Sequence, residues 1–310
     1  MHLAVVGTGL IGGSFARAAR ARGLFARFTG IDPDPASARR ARELGVVDAL
    51  ADSVPADADA VLLAAPGHRI APWVVRLAGH SGIVFDTGSV KGAILQEVAR
   101  RLPAVPARFV PCHPVAGSEE NGPDAADAGL FERAEVILTP TADTDPAAVE
   151  RVTAWWQAVG ARVCTMSAAE HDRVLALTSH LPHLVAFAYL QLVEDEHRPH
   201  TAGGFRDFTR IGASDARIWS SILRLNREAV LGALDDLEEQ LRRARSLIET
   251  ADDATLQAYL REAARRRGEL WERPLAANRP PRERSLDPDS RPEAAPTGDD
   301  APTGDEGEGP

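Results

Sequence analysis

His2-Leu-Ala-Val-Val-Gly-Thr-Gly-Leu-Ile-Gly-Gly-Ser14 is the stretch that decides how this chain is read. A buried-strand pattern over 2–6 runs directly into glycines spaced G-x-G-x-x-G. Gly7 permits the tight turn that must follow the strand. Gly9 lets the backbone approach a pyrophosphate, and Gly12 lets the next helix pack close to the strand. That helix opens at Leu10 and Ile11, and its N-terminus faces the phosphates. Asp32 stands 20 residues after Gly12, at the end of the apolar stretch Phe28-Thr-Gly-Ile31. A carboxylate there accepts hydrogen bonds from the adenosine ribose. It would also repel a 2′-phosphate, so the expected cofactor is NAD rather than NADP. A glycine-rich turn with no ligand is the competing reading; the strand before, the helix after and the acid in place argue against it. Arg39 and Arg40 fall a turn or two into the following helix and are set aside.

Working outward, the first half alternates strand and helix patterns. Strands read at 2–6, 27–31, 59–64, 82–86, 108–112, 135–139 and 161–165. Helices read near 12–22, 35–44, 69–79, 89–101 and 147–159. This alternation predicts an α/β fold, a doubly wound, mostly parallel Rossmann-type sheet, with a second all-helical domain after it. Strand patterns stop near 167. A long helix reads over 168–195, interrupted near Pro182, followed by a glycine-containing loop at 199–212. Apolar residues at helical spacing (Trp219, Ile222, Val230, Leu234, Leu237, Leu241, Ile248) fill 215–249, and another helix covers 252–267. The expected division is 1–166 for dinucleotide binding, 167–275 for the helical domain and 276–310 for a tail. Part of the apolar stripe is expected to bury against a second subunit, giving a homodimer.

Bulk properties narrow the class. The net charge is −10, but residues 281–310 hold nine acids and three arginines, leaving −4 for the rest. That Pro-, Gly- and acid-rich tail cannot bury enough apolar surface to fold and is expected to be disordered. Nothing suggests nucleic-acid binding. No apolar run reaches membrane-span length, and the N-terminus reads as a strand rather than a signal peptide, so cytoplasmic residence is expected. Cys112 and Cys164 fall in strand patterns and read as buried thiols, not a disulfide. Of 35 basic residues only Lys91 is lysine. A chain so biased to arginine keeps a lysine where a compact ammonium is needed, with chance retention on a surface as the alternative.

Three clusters carry hydrogen-bonding and charged groups that packing does not require. Asp86-Thr-Gly-Ser89-Val-Lys91 and His113-Pro-Val-Ala-Gly-Ser-Glu119 lie at successive strand ends. The third is split between Ser179-His180-Leu-Pro-His183 and Gly203-Gly-Phe-Arg206-Asp207-Phe-Thr-Arg210. An imidazole at position 113, with an ordinary pKa of ~6.5, can take a proton from an alcohol as hydride leaves the same carbon. A structural loop histidine is the bland alternative. Ser89, on the neighbouring strand end, can hydrogen-bond the same hydroxyl. His180 and His183 share a helix face, but Pro182 between them and the lack of an acidic partner set argue against a metal, and none is expected. Arg206 and Arg210 are candidates for a carboxylate clamp, positioned by Asp207.

At these residues the sequence resembles the prephenate/arogenate dehydrogenase family of tyrosine biosynthesis. The matching segments, in family order across about 1–250, are Gly7–Ser14, Asp86–Lys91, His113–Glu119, Ser179–His183 and Gly204–Ile211. The first is generic; the last three together are specific. The resemblance implies oxidative decarboxylation, with hydride passing to NAD, carbon dioxide leaving and the ring becoming aromatic. It implies His113 as the base and Ser89 as the group that orients the hydroxyl and the nicotinamide; Lys91, singled out by its neighbours Asp86–Ser89, is grouped with them as catalytic. Arg210 would hold the ring carboxylate, His183 would meet the side chain and Glu119 would stand at the mouth. His180, Asp207 and Trp219 complete the implied substrate-binding set, with Trp219 reaching into the partner's site. The cofactor set is Gly7, Gly9, Leu10, Ile11, Gly12, Asp32 and Ser89.

Some relatives carry a chorismate mutase or an ACT regulatory domain. Neither is expected here, because the fingerprint starts at residue 2 and 276–310 is short and polar. The rival enzyme class is a Rossmann-plus-helical 3-hydroxyacid or imine reductase. The hydroxyacid enzymes typically need a lysine in the second domain, and Lys91 lies in the first. A regulator that kept the fold and lost the chemistry has little support, since His113, Ser89 and Arg210 are all present. Prephenate is the expected substrate, with arogenate the alternative.

Overall fold

A computed structural model of the chain describes residues 1–117 and 120–272. Glu119 and the tail expected at 276–310 lie outside the described residues. The first half runs β1 (His2–Val6), α1 (Leu10–Ala21), β2 (Arg27–Ile31), α2 (Pro35–Glu43), β3 (Ala49–Leu50), β4 (Ala60–Leu63), α3 (Gly67–Arg76), β5 (Ile83–Asp86), α4 (Gly92–Arg101) and β6 (Phe109–Val110). All six strands are parallel, in the order β3-β2-β1-β4-β5-β6. Val6 is in register with Ile31 on one side and Leu63 on the other, and Leu63 with Asp86. Four carboxyl ends therefore finish level, where open α/β sheets bind ligands. The strands read as continuous apolar runs because both faces are covered. Phe15, Phe28, Phe85, Trp155 and Trp156 fill one side; Val61, Leu63, Ile70, Val98 and Phe109 fill the other. Asp34 caps α2 through the amides of Ala36 and Ser37, with Pro35 in its first turn.

The strand predicted at 108–112 is two strands. Pro111 lies between β6 and β7 (Cys112–Val115), and having no N–H it cannot continue a ladder. Beyond it β7 pairs antiparallel with β8 (Glu135–Leu138), and β8 pairs parallel with β9 (Arg162–Thr165); α5 (Pro146–Ala158) lies between them in sequence. The mostly parallel Rossmann-type fold is as expected, its strands divided between a six-stranded parallel sheet and a three-stranded mixed one. The two-residue β3 was too short to show a pattern.

The second half is helical. α6 (Ala168–Leu175) continues through one wide π turn, Ala176–His180, into α7 (Leu181–Leu190). The interruption falls next to Pro182, where the sequence placed it. The loop expected at 199–212 is instead mostly helical. A 3-10 turn (Asp195–His200) leads into α8 (Gly203–Thr209), and another (Arg210–Ala213) follows it. Gly203 and Gly204 occupy only its first turn, and Phe205 and Phe208 pack on Tyr189 of α7 with ring centroids 6.2 and 5.3 Å away. The stripe over 215–249 breaks at Asn226 into α9 (Ala216–Leu225) and α10 (Arg227–Thr250); α11 (Asp253–Glu272) ends the described chain. Val230 and Ala233 of α10 pack on Ala176 and Leu181, with Leu234 and Leu237 at the edge. Farther along, Leu241 is 59% exposed and Ile248 73% exposed in the single chain. Among the described residues no helix is long and apolar enough to cross a membrane.

Candidate active site

The glycine turn fits a dinucleotide on its own geometry. Gly7 has a φ of +91°, and a Cβ there would lie 2.3 Å from the Ala64 carbonyl oxygen. A Cβ on Gly12 would lie 2.0 Å from the Gly7 oxygen, so the approach of α1 to β1 excludes any side chain. Gly9 precedes α1 without a side-chain cap, leaving the first amides, at Leu10, Ile11 and Gly12, directed at an incoming anion. Asp32 is tied down beside this turn. Its Oδ2 accepts from the Thr8 amide at 2.9 Å and the Thr8 hydroxyl at 3.1 Å, and Oδ1 accepts from the Asp34 amide at 3.0 Å. The chain after β7 comes back over α1, where the Asp127 amide donates to Ser14 Oγ at 2.9 Å and Arg17 to the Ala126 carbonyl at 2.8 Å. Arg40, set aside at the sequence level, is held by Asp124 through two guanidinium nitrogens, at 3.0 and 2.6 Å.

Strand β5 delivers Asp86 fully buried. Its Oδ1 accepts from the Cys112 amide at 2.8 Å, and its Oδ2 accepts from the Gly88 amide at 2.9 Å and from Lys91 Nζ. The same ammonium donates to the Cys112 carbonyl at 2.7 Å. The pair therefore grips both peptide groups of the residue before His113. Lys91 is 0% exposed, which accounts for a compact ammonium there. The sequence grouped Lys91 with the catalytic residues; the structure turns its head inward, so its part is to hold the strand end. Ser89 lies half-buried on the same turn.

His113, on β7, is buried, and its Nδ1 lies 2.8 Å from Nε2 of His171. Burial pushes the His113 imidazole well below its usual pKa, and the neighbouring His171, Lys91 and His180 push the same way. The ring is neutral at pH 7 and able to accept a proton. His171 Nδ1 lies 2.8 Å from Asp172 Oδ1. Asp172 also accepts from the amides of Lys91 and Gly92, each at 2.8 Å, and so closes the start of α4 from α6. Asn226 donates to the Asp172 carbonyl at 2.7 Å and to His180 Nδ1 at 3.0 Å.

The split third cluster is only partly assembled. Trp219 stacks on His183 with centroids 3.6 Å apart and planes at 19°, and meets His180 edge-on at 6.1 Å. Trp219 thus packs on two histidines of its own chain. His183 donates from Nδ1 to the Ser179 carbonyl at 2.9 Å, leaving Nε2 as an acceptor. Burial lowers its pKa, as does the positive charge of Arg210, so that guanidinium stands within electrostatic reach. Arg210 is exposed, and among the described residues no carboxylate pairs with it. Asp207 is exposed and pairs with neither Arg206 nor Arg210; the expected role as arginine positioner is corrected. His171, Asp172 and Asn226 were missed. The signal available was an adjacent His–Asp pair, with His171 one turn before Leu175 on the buried face of α6.

Family models of prephenate dehydrogenase match the chain twice: the nucleotide-binding domain over residues 15–165 and the dimerization domain over 167–262. A cyclohexadienyl dehydrogenase from Zymomonas mobilis is 37% identical over 279 residues, 86% of this chain and 94% of its own length. A prephenate dehydrogenase from Bacillus subtilis is 36% identical over 276 residues, 84% of this chain and 73% of its own. The crystal structure of Aquifex aeolicus prephenate dehydrogenase, in complex with hydroxyphenyl propionate and NAD+, superposes with a TM-score of 0.81. Its sequence is 34% identical, and the match covers 87% of this chain and 98% of that one.

Proposed function

The chain belongs to the prephenate dehydrogenase family, and from that premise we propose that it oxidatively decarboxylates prephenate to 4-hydroxyphenylpyruvate with NAD+, on the route to tyrosine. The observation that carries this reading is His113, a buried neutral imidazole fixed at a strand end by the Asp86–Lys91 pair. The Aquifex enzyme, bound to NAD+ and a hydroxyphenyl acid, supports the cofactor and the kind of ligand. Asp32 supports NAD over NADP, since its anchored carboxylate would repel a 2′-phosphate.

NAD+ supplies the hydride acceptor at the carbinol carbon. Nε2 of His113 takes the hydroxyl proton as the C–H bond breaks. The bond to the ring carboxylate then opens, its electron pair enters the ring and carbon dioxide leaves. His113 returns the proton to the phenolate oxygen, so no net proton is taken up. Arg210 holds a carboxylate of the substrate, and His183, braced by Trp219, meets the side chain. Ser89 orients the hydroxyl. The exposed residues Leu241 and Ile248 lie within the segment matched by the family's dimerization domain, and we assign them to a homodimer interface.

The test is to assay the purified chain with prephenate and with arogenate, each with NAD+ and NADP+. Prephenate with NAD+ should turn over fastest; preference for arogenate would reassign the substrate. His113→Asn should lower kcat about 10²–10⁴-fold while NAD+ affinity stays near wild type. Unimpaired turnover would remove His113 as the base.

A further inference from the structure

The imidazole at the centre of this reading has a second nitrogen, and the fold engages it. His113 Nδ1 and His171 Nε2 are 2.8 Å apart, and His171 Nδ1 and Asp172 Oδ1 are also 2.8 Å apart. All three residues are buried, His171 completely. A carboxylate can only accept, so His171 Nδ1 carries a proton. In a neutral His171 the other nitrogen then presents a lone pair. His113 Nδ1 must therefore donate, and Nε2 of His113 is the nitrogen left with a lone pair.

We infer that His171 and Asp172 are positioning residues that hold His113 as its Nδ1–H tautomer and orient the ring so that Nε2 receives the substrate's proton. This rests on His113 being the base. Asp172 is suited to the task because it cannot swing away. Oδ1 accepts from the Lys91 amide as well as from His171, and Oδ2 from the Gly92 amide. Asn226, between α9 and α10, holds the Asp172 backbone carbonyl. When His113 takes up a proton, both of its nitrogens donate. The bond to His171 becomes charge-assisted, and the Asp172 carboxylate, one ring away, offsets the new charge. The other charged or titratable groups facing His113 are Lys91, already paired with Asp86, and His180, which accepts from Asn226. Neither supplies a negative charge, so Asp172 is the counter-charge placed behind the ring.

The test uses the full chain with histidine imidazoles labelled with ¹⁵N. The wild-type His113 signals should show a protonated Nδ1 and a bare Nε2; the reverse pattern overturns the inference. His171→Leu removes the acceptor and should lower kcat about 10–100-fold with KM for NAD+ unchanged. His171→Gln, which returns an acceptor near the old Nε2, should recover most of that loss. A folded His171→Leu enzyme with wild-type kcat overturns the inference. If that variant does not fold, the wild-type tautomer measurement decides. His113→Asn separates the two failures. Activity retained there defeats the assignment of the base itself, whereas an inactive His113→Asn beside a fully active His171→Leu defeats only the relay.

Discussion

Lys91 shows how much one residue's chemistry can be legible before its role is. Its singularity in an arginine-rich chain marked it, and its complete burial against Asp86 and the Cys112 carbonyl explains why arginine does not replace it. What the sequence could not tell was which way the ammonium points. Lys91→Met should leave Asp86 as a buried uncompensated charge and cost about 3–5 kcal/mol, read as a lower thermal midpoint. A midpoint equal to wild type would contradict this account of the pair. Arg210 is the opposite case, exposed and without a carboxylate partner among the described residues. Arg210→Ala should raise KM for prephenate by about tenfold or more while leaving KM for NAD+ alone. Steady-state kinetics in both substrates will check it, and an unchanged prephenate KM would take Arg210 out of the clamp.

Among the elements, the wide turn at Ala176–His180 matters most to the site. His171 and His183 are 12 positions apart, so on a regular helix they would point about 120° apart. A π turn absorbs one extra residue and brings that difference to about 20°, so both rings face the same side. Deleting Leu177, an exposed residue within that turn, should regularise the helix and turn His183 away. The expected result is a large loss of turnover with NAD+ binding retained, measured by calorimetry; full activity would show the turn to be incidental. Pro182 made the interruption legible, but its width depends on a choice of hydrogen-bond partner that no periodicity reveals. The same limit hid the break at Pro111, since Phe109–Val110 and Cys112–Val115 read as one apolar run. It also hid His171 and Asp172, whose partners across the fold lie 54 to 81 positions away along the chain. The glycine turn was legible because strand, turn, helix and acid fall within 32 consecutive residues.

For the molecule as a whole, several of these histidines are kept neutral at a cost that appears as pH sensitivity. Burial lowers the pKa of His180 to about 4, and His113 is lowered as well. Between the folded value and the ordinary 6.5 the unfolded chain binds more protons, so stability falls as pH drops through that window. His180 alone accounts for a loss of about 2 kcal/mol by pH 5. The thermal midpoint should fall between pH 7.5 and pH 5, and part of the fall should vanish in His180→Gln. An acid-insensitive midpoint would show these rings to be freely hydrated. For the same reason the acid limb of kcat/KM should lie below 6.5.

Asp172 also ties the two halves of the chain together at the site. Its carboxylate is contributed by the helical half, yet it closes a helix of the nucleotide half and backs the imidazole that half supplies. The glycine turn and the ring thus come from the first 166 residues, while the carboxylate behind the ring comes from later in the chain, so the charge that offsets a protonated His113 depends on the two halves being docked.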